Sequence, residues 1–326
     1  MNYLVVGGAG YIGSHMVKLL QEFNHNVVIV DNFSTGNKWA VDECEVLEVD
    51  LLDEKKLYDS LRNRTFDTVF HFAAKSIVSE SQKYPHLYYE NNVKGTMNLL
   101  KQMLLNNIEN IVFSSTAAVY GNPQTNNICE NHPKEPINVY GSTKLAVENL
   151  IKDYCISTGM NGTCFRYFNA AGAHKSGHIG EKRQKETHLI PNILEEFLLK
   201  QNNLKVFGND YKTPDGTCIR DYIHVDDIAH SHLIAAERFD KNKGFEVFNI
   251  GNETGYSVME IIKSCEQVVE SEIDYRIESR RSGDPDILIA DCTKAKEKLE
   301  WQPKYNDIND IVGSAWKFHK NFHKQL

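Results

Sequence analysis

Tyr3-Leu4-Val5-Val6-Gly7-Gly8-Ala9-Gly10-Tyr11-Ile12-Gly13 is the stretch on which the reading of the fold turns. An apolar run of strand length ends in a glycine cluster that satisfies both G-x-G-x-x-G and G-x-x-G-x-x-G, and a helix-length segment follows. Glycines here allow a tight turn and let backbone N–H groups at a helix N-terminus approach a pyrophosphate, which makes Gly7, Gly10 and Gly13 candidate dinucleotide contacts. A glycine fingerprint alone can be only a turn. The context strengthens it: Val27–Asp31 reads as the next strand, and Asp31 ends it near the offset at which a carboxylate accepts hydrogen bonds from the adenosine ribose. No Arg or Lys follows Asp31 before Lys38. A 2′-phosphate would meet a carboxylate and no cation, so NAD is expected rather than NADP.

Working outward, Cys44–Val49, Thr68–Ala74 and Ile111–Ser115 read as further strands alternating with amphipathic segments. That alternation means a doubly wound parallel sheet of the Rossmann type, and a run such as Val27-Val28-Ile29-Val30 is apolar throughout, as strands covered on both faces are. Beyond about Gly172 the rhythm loosens, with helical stretches at Leu189–Lys200, Asp226–Arg238 and Val258–Glu270 and loops at Gly121–Pro136 and Gly208–Gly216. The expected division is a dinucleotide-binding domain over 1–170 and a smaller, mixed lobe over 171–326, some of whose segments return to the first domain. Asp50, in Glu48-Val49-Asp50-Leu51, either holds an adenine edge or is an ordinary polar strand end.

Ser114-Ser115-Thr116 ends the fifth strand, and Tyr140-Gly141-Ser142-Thr143-Lys144 opens a helical segment reaching about Ser157. Tyr140 and Lys144, four apart, share a helix face. A tyrosine with its ordinary pKa of ~10 is a poor base at neutral pH, and a nearby ammonium together with a cationic nicotinamide ring favours its phenolate. Thr116 can relay or orient a proton. In isolation Tyr-x-x-x-Lys is a common exposed pair; downstream of a dinucleotide fingerprint it reads as catalytic.

Across Val6–His15, His71-Phe72-Ala73-Ala74, Tyr88–Gly95, Phe113–Gly121, Tyr140–Lys144, Arg166–Gly172, Glu186–Pro191, Phe207–Asp227 and Arg280–Asp284 the chain resembles the extended short-chain dehydrogenases and, within them, the UDP-galactose 4-epimerases. The resemblance implies NAD contacts from Tyr11, Ile12, Asp31, Asn32, Asp50, Leu51, Phe72, Ala73, Asn91, Lys144 and Phe168, with Thr116 and Tyr140 touching cofactor and sugar alike. For a UDP-hexose it implies Asn169, His188, Leu189, Phe207, Arg220, Arg281 and Asp284. Guanidinium groups bind diphosphates bidentately, although Arg220 and Arg281 could equally be salt-bridge partners. One departure is visible: some bacterial members have lysine where this chain has Ser76, with Lys75 beside it. Leu288, in register between Arg281, Gly283 and Asp284 upstream and Ala290-Asp291 downstream, falls where the family lines the pocket for the sugar 2-substituent, or else is plain core. The activity implied is interconversion of UDP-galactose and UDP-glucose through a 4-keto intermediate. The alternatives are epimerisation of N-acetylated or uronic sugars, a nucleotide-sugar dehydratase or decarboxylase, and a non-catalytic NAD sensor. Dehydratases and decarboxylases place an acidic residue after the active-site Thr or Ser, where this chain has Ala117 and Ala118.

The remaining features bound the reading. A formal charge of −8 over 326 residues provides no basic excess for nucleic acid or anionic membrane. Seven scattered cysteines and thirteen histidines, His174, His178 and His224 among them, show no metal or disulfide spacing, so neither is expected. No apolar run approaches the length of a bilayer span, which leaves a cytoplasmic protein as the expectation. Apolar residues on more than one face of Val93–Leu105 (Met97, Leu99, Leu100, Met103, Leu104, Leu105) and of the Tyr140 helix (Leu145, Val147, Leu150, Ile151, Tyr154) suggest either a homodimer or internal core.

Overall fold

The computed structural model describes every residue except 42, 43, 185, 202, 242, 282, 283 and 326, so Gly283 of the Leu288 alignment lies outside the described residues. In chain order the strands are β1 (Asn2–Val6), β2 (Asn26–Asp31), β3 (Glu45–Glu48), β4 (Thr68–His71), β5 (Asn110–Thr116), β6 (Asn127–Ile128), β7 (Asn161–Tyr167), β8 (Asn169–Ala171), β9 (Lys205–Phe207), β10 (Ile219–His224), β11 (Phe245–Ile250), β12 (Gly255–Ser257), β13 (Arg276–Glu278) and β14 (Ile287–Ala290). The helices are α1 (Tyr11–Glu22), α2 (Glu54–Leu61), α3 (Val78–Lys83), α4 (Pro85–Tyr88), α5 (Gly95–Leu105), α6 (Val139–Thr158), α7 (Leu189–Leu199), α8 (Val225–Glu237), α9 (Val258–Val269), α10 (Thr293–Leu299) and α11 (Ile308–Gln325).

The central sheet runs β11-β7-β5-β4-β1-β2-β3, and every neighbouring pair is parallel. Its two-sided burial follows from the period of two along β1. Tyr3 and Val5 pack with Met16 and Leu20 of α1 and Ile228 and Leu233 of α8; Leu4 and Val6 pack with Leu99 and Met103 of α5 and Val147 and Ile151 of α6. These four residues of β1, Tyr3 to Val6, are fully buried. Such a strand cannot slip by one residue without exchanging its two apolar faces. β11 comes from the second half of the chain and extends this sheet beside β7, with Phe245–Ile250 opposite Gly162–Tyr167.

The smaller lobe is mixed. β10 pairs antiparallel with β12 and parallel with β14 and β8, and β9 and β13 form a separate parallel pair. Ile190, Ile193 and Leu194 of α7, Ile261 and Ile262 of α9, and Ile311 and Val312 of α11 form its core. Three readings are corrected. The segment 121–136 is not all loop, because Asn127 and Ile128 pair with Ile289 and Ala290 of β14. β4 stops at His71 rather than at Ala74, because the N–H groups of Phe72 and Ala73 both turn to the carbonyl of Val6. The helical stretch from Val93 begins within a π-helical turn, Tyr89–Lys94, that precedes α5.

Candidate active site

Beyond the carboxyl ends of β1 and β4, where the winding of the sheet reverses, opens a cleft of about 1690 Å³. Every site residue named from the sequence lines it. On its cofactor side the backbone approaches very closely. Gly7 has φ +80°, and a Cβ there would lie 2.4 Å from the amide nitrogen of Ala73; a Cβ on Gly13 would lie 2.1 Å from the carbonyl oxygen of Gly7. α1 follows its N-cap Gly10 with no side-chain cap and no acidic residue in its first turn, which leaves its N–H groups to an anion. Asp31 is buried and accepts from the N–H groups of Ala9 (3.0 Å) and Phe33 (2.8 Å), with a further lone pair on each oxygen for a ribose hydroxyl. Burial holds its carboxyl above the ordinary range, and the backbone N–H groups oppose that rise. Asp50 accepts from the Asn32 amide at 2.8 Å, joining two strand ends beside the cleft. These features fit a dinucleotide. The π-helical turn also aims two consecutive asparagines differently: Asn91 lines the cleft, while buried Asn92 donates to the carbonyl of Lys75 (3.1 Å) and to Thr143 (3.0 Å).

Tyr140 enters the cleft from the start of α6, whose N-cap Asn138 accepts from the N–H of Gly141 at 2.8 Å. A Cβ on Gly141 would lie 2.5 Å from the carbonyl oxygen of Ala118, so only glycine lets this helix end press against the turn after Thr116. The Thr116 hydroxyl accepts from the N–H of Ala118 (3.2 Å), which leaves its proton to donate to Tyr140. Burial raises the Tyr140 phenol above its ordinary pKa, and the Thr116 bond and the charge of Arg183 oppose that rise. Lys144 is buried, donates to the carbonyl of Ser114 at 2.7 Å, and stands 4.6 Å from the centre of the Phe113 ring. Burial lowers its pKa to about 7. Behind it a polar rod passes through the molecule: Ser115 meets Glu148, Glu148 takes the Nε–H of Arg166 at 2.9 Å, Arg166 donates to Tyr120 at 3.0 Å, and Tyr120 donates to Asn249 at 2.6 Å.

The facing wall is made of long side chains. Arg220 donates to the carbonyl of Pro285 (2.8 Å) and pairs with Asp284 (3.6 Å), so the salt-bridge and ligand readings of this arginine are compatible. The Arg281 guanidinium lies 4.0 Å over the Phe207 ring. Leu288, opposite Arg220 in the β10–β14 register, lines the cleft and also packs beside Leu145 and Phe168 against Val119 and Ile128, so core and pocket wall are one position. His174 is buried against Ser176 and Glu22, His178 is exposed, and His224 stacks on Tyr305 at 3.9 Å.

Sequence reasoning missed the group formed by Glu181, Arg183 and Glu186. Glu181 takes the Nε–H of Arg183 and pairs with His188 Nδ1, both at 2.8 Å, and Arg183 reaches the Ser76 hydroxyl at 3.4 Å. Burial raises the Glu181 carboxyl, but His188 and Arg183 outweigh it and hold it below the ordinary range. Ligand-type atoms of Glu181, Glu186 and His188 lie within 4.8 Å of one another, a possible metal grouping that histidine spacing did not suggest. The Arg183 guanidinium already engages Glu181 in that grouping. The Glu186–Pro191 motif pointed to this loop; nothing in it singled out Arg183.

Residues 3–251 match the family described as the NAD dependent epimerase/dehydratase family. A UDP-glucose 4-epimerase of Halalkalibacterium halodurans is 47% identical over 98% of this chain and 96% of its own length. A solved UDP-glucose 4-epimerase structure superposes with a TM-score of 0.96 at 42% identity, covering 98% of each chain. The Brucella ovis UDP-glucose 4-epimerase in complex with NAD gives a TM-score of 0.93 at 42% identity, with 97% of each chain covered. With its glycine cradle, its switch-point cleft and these likenesses over nearly its whole length, the chain belongs to the NAD dependent epimerase/dehydratase family.

Proposed function

We propose that this protein is an NAD-dependent enzyme that interconverts UDP-galactose and UDP-glucose. The observation that carries this reading is one cleft in which Thr116, Tyr140 and Lys144 face an arginine-bearing wall, with only the methyl groups of Ala117 and Ala118 where a second acid would be needed for elimination or decarboxylation. Gly7, Gly10 and Gly13, the N-terminus of α1, and Asp31 with Asn32 and Asp50 would hold NAD. NAD, when bound, supplies a hydride acceptor for the first half of the reaction and a hydride donor for the second. Tyr140 takes the proton of the sugar 4-hydroxyl and later returns a proton to that same oxygen, once the 4-keto sugar has turned its opposite face to the cofactor, and Thr116 orients the hydroxyl. Arg220 and Arg281 hold the diphosphate while the 4-keto sugar turns over. Purified protein given UDP-galactose and no added NAD should form UDP-glucose without accumulating NADH. A requirement for stoichiometric NAD would exclude this cycle.

We assign residues 1–170 mainly to the cofactor and 171–326 mainly to the nucleotide sugar. Among the described residues no helix is long and apolar enough to cross a membrane. A cytoplasmic location is part of the same proposal, resting on the scattered, unpaired spacing of the cysteines. So is a homodimer formed through α5 and α6. Leu99, Leu100, Met103, Val147 and Ile151 are consumed by the core, but Met97, Leu104 and Leu105 stay exposed and Leu150 and Tyr154 half-buried, an apolar surface a second copy would cover. Sedimentation of the same preparation as a monomer at micromolar concentration would count against that dimer.

A further inference from the structure

Arg280 and Arg281 are neighbours in the chain and lie over two different rings. The Arg281 guanidinium stands 4.0 Å from the centre of the Phe207 ring in the wall of the cleft; the Arg280 guanidinium stands 4.0 Å from that of Tyr211, and neither Arg280 nor Tyr211 lines the cleft. Arg280 also donates through Nε to Asp210 Oδ1 (2.5 Å) and through Nη2 to the Asp210 carbonyl, and its Nη1 pairs with Asp286 (3.8 Å). We infer that Arg280 is a positioning residue for the nucleotide: it fixes the stretch that carries Arg281 and Asp284, so that Arg281 is already set over Phe207 before the diphosphate arrives. This rests on the reading of Arg281 as a diphosphate ligand.

Among the described residues, little else holds the start of that stretch. It leaves β13, which pairs with β9 alone, three residues against three, apart from both larger sheets. An isolated two-stranded pair is marginal in water. β13 buries none of its three side chains, and Ile277 at its centre is 51% exposed. The cross-strand ion pair of Lys205 and Glu278 (3.6 Å) is exposed on both sides and contributes little. Phe207 and Glu278 end the two strands opposite one another, and the N–H of Gly208 donates to the carbonyl of Glu278 (2.9 Å). Just beyond that bond Arg280 is clamped. Tyr211 is buried, and a Cβ on Gly208 would lie 2.6 Å from both the Arg280 Cγ and the Tyr211 ring, so the stem of Arg280 passes through a gap that glycine leaves. Asp286 stands at the far end of the stretch, where its carbonyl accepts from the N–H of Ile219 on β10 (2.9 Å), next to Arg220. One guanidinium thus ties the loop after Phe207 to both ends of the segment bearing Arg281, using its fork for the carboxylates and its face for the ring.

The test takes the NAD-loaded enzyme with UDP as the probe, reading affinity by titration calorimetry and NAD content after acid release. Arg280→Ala should weaken UDP binding on the order of tenfold, the effect of leaving one long side chain to be ordered only on binding, and should raise KM for UDP-galactose with kcat little changed. NAD content and melting temperature should stay near wild type, because the ion pairs that Arg280 makes are exposed. Arg280→Lys keeps the charge without the planar fork and should recover part of the affinity. Placed in an Arg281→Ala protein, Arg280→Ala should weaken UDP binding hardly at all, since the first residue acts through the second. An equal loss in both backgrounds would make Arg280 an independent contact and overturn the inference, as would unchanged UDP affinity or a joint loss of UDP and NAD. Intact UDP affinity in Arg281→Ala alone would instead sink the underlying reading of Arg281.

Discussion

On one side of the cleft the chain presents backbone: glycines whose missing side chains let Gly7 meet Ala73, an uncapped helix start at Gly10, and carboxylates tied to N–H groups at strand ends. On the other it presents long side chains from loops and short strands, with Arg220 leaning on Pro285, Arg281 lying over Phe207 and His188 held by Glu181. The difference matches two tasks. A cofactor that remains in one pose is best gripped by parts that cannot move, whereas a ketosugar that must show both faces has to be tethered by its diphosphate and left loose at the ring.

The comparison breaks most severely where the walls meet. Tyr140→Phe preserves the ring and removes the proton acceptor, so kcat should fall by ~10²–10⁴ while bound NAD survives. A near-normal rate would dissolve the boundary between the walls. Damage to the backbone wall should look different. Gly13→Ala forces a methyl group against the carbonyl of Gly7, an overpacking that costs about 1–3 kcal/mol, and the purified protein should carry less NAD, measured after acid release, and melt lower. Full NAD occupancy would mean that this wall yields after all. The mildest change sharpens the other side. Leu288→Tyr narrows the pocket by the substrate wall and should suppress turnover of UDP-N-acetylgalactosamine by about 10–200-fold while sparing UDP-galactose. Equal losses on both substrates would return Leu288 to the core.

The same contrast governs what could be read in advance. The β1 strand, the glycine turn, Asp31 and the Tyr140/Lys144 pair are encoded in short-range spacing, and a parallel sheet buried on both faces leaves continuous apolar runs as its mark. β6 is two residues long and exists because β14, about 160 positions later, offers it a partner. Arg183 was illegible for a related reason: what gives it meaning is Ser76, 107 residues earlier. Glu148 sat in plain view as a charge among Val147 and Ile151, but its partner Arg166 lies on a strand across the core.

That last pair has a consequence for how sharply the catalytic helix is placed. A helix packed only through leucines and valines could ratchet by one turn at modest cost, since one aliphatic contact replaces another. With Glu148 threaded between Ser115 and Arg166, any such shift would strand a carboxylate and a guanidinium in the dry interior, where breaking a buried pair costs about 3–5 kcal/mol. The ion pair adds little net stability over an apolar filling. Its effect is to make the setting of α6 discrete, so that Tyr140 is either in register with Thr116 or the chain is not folded.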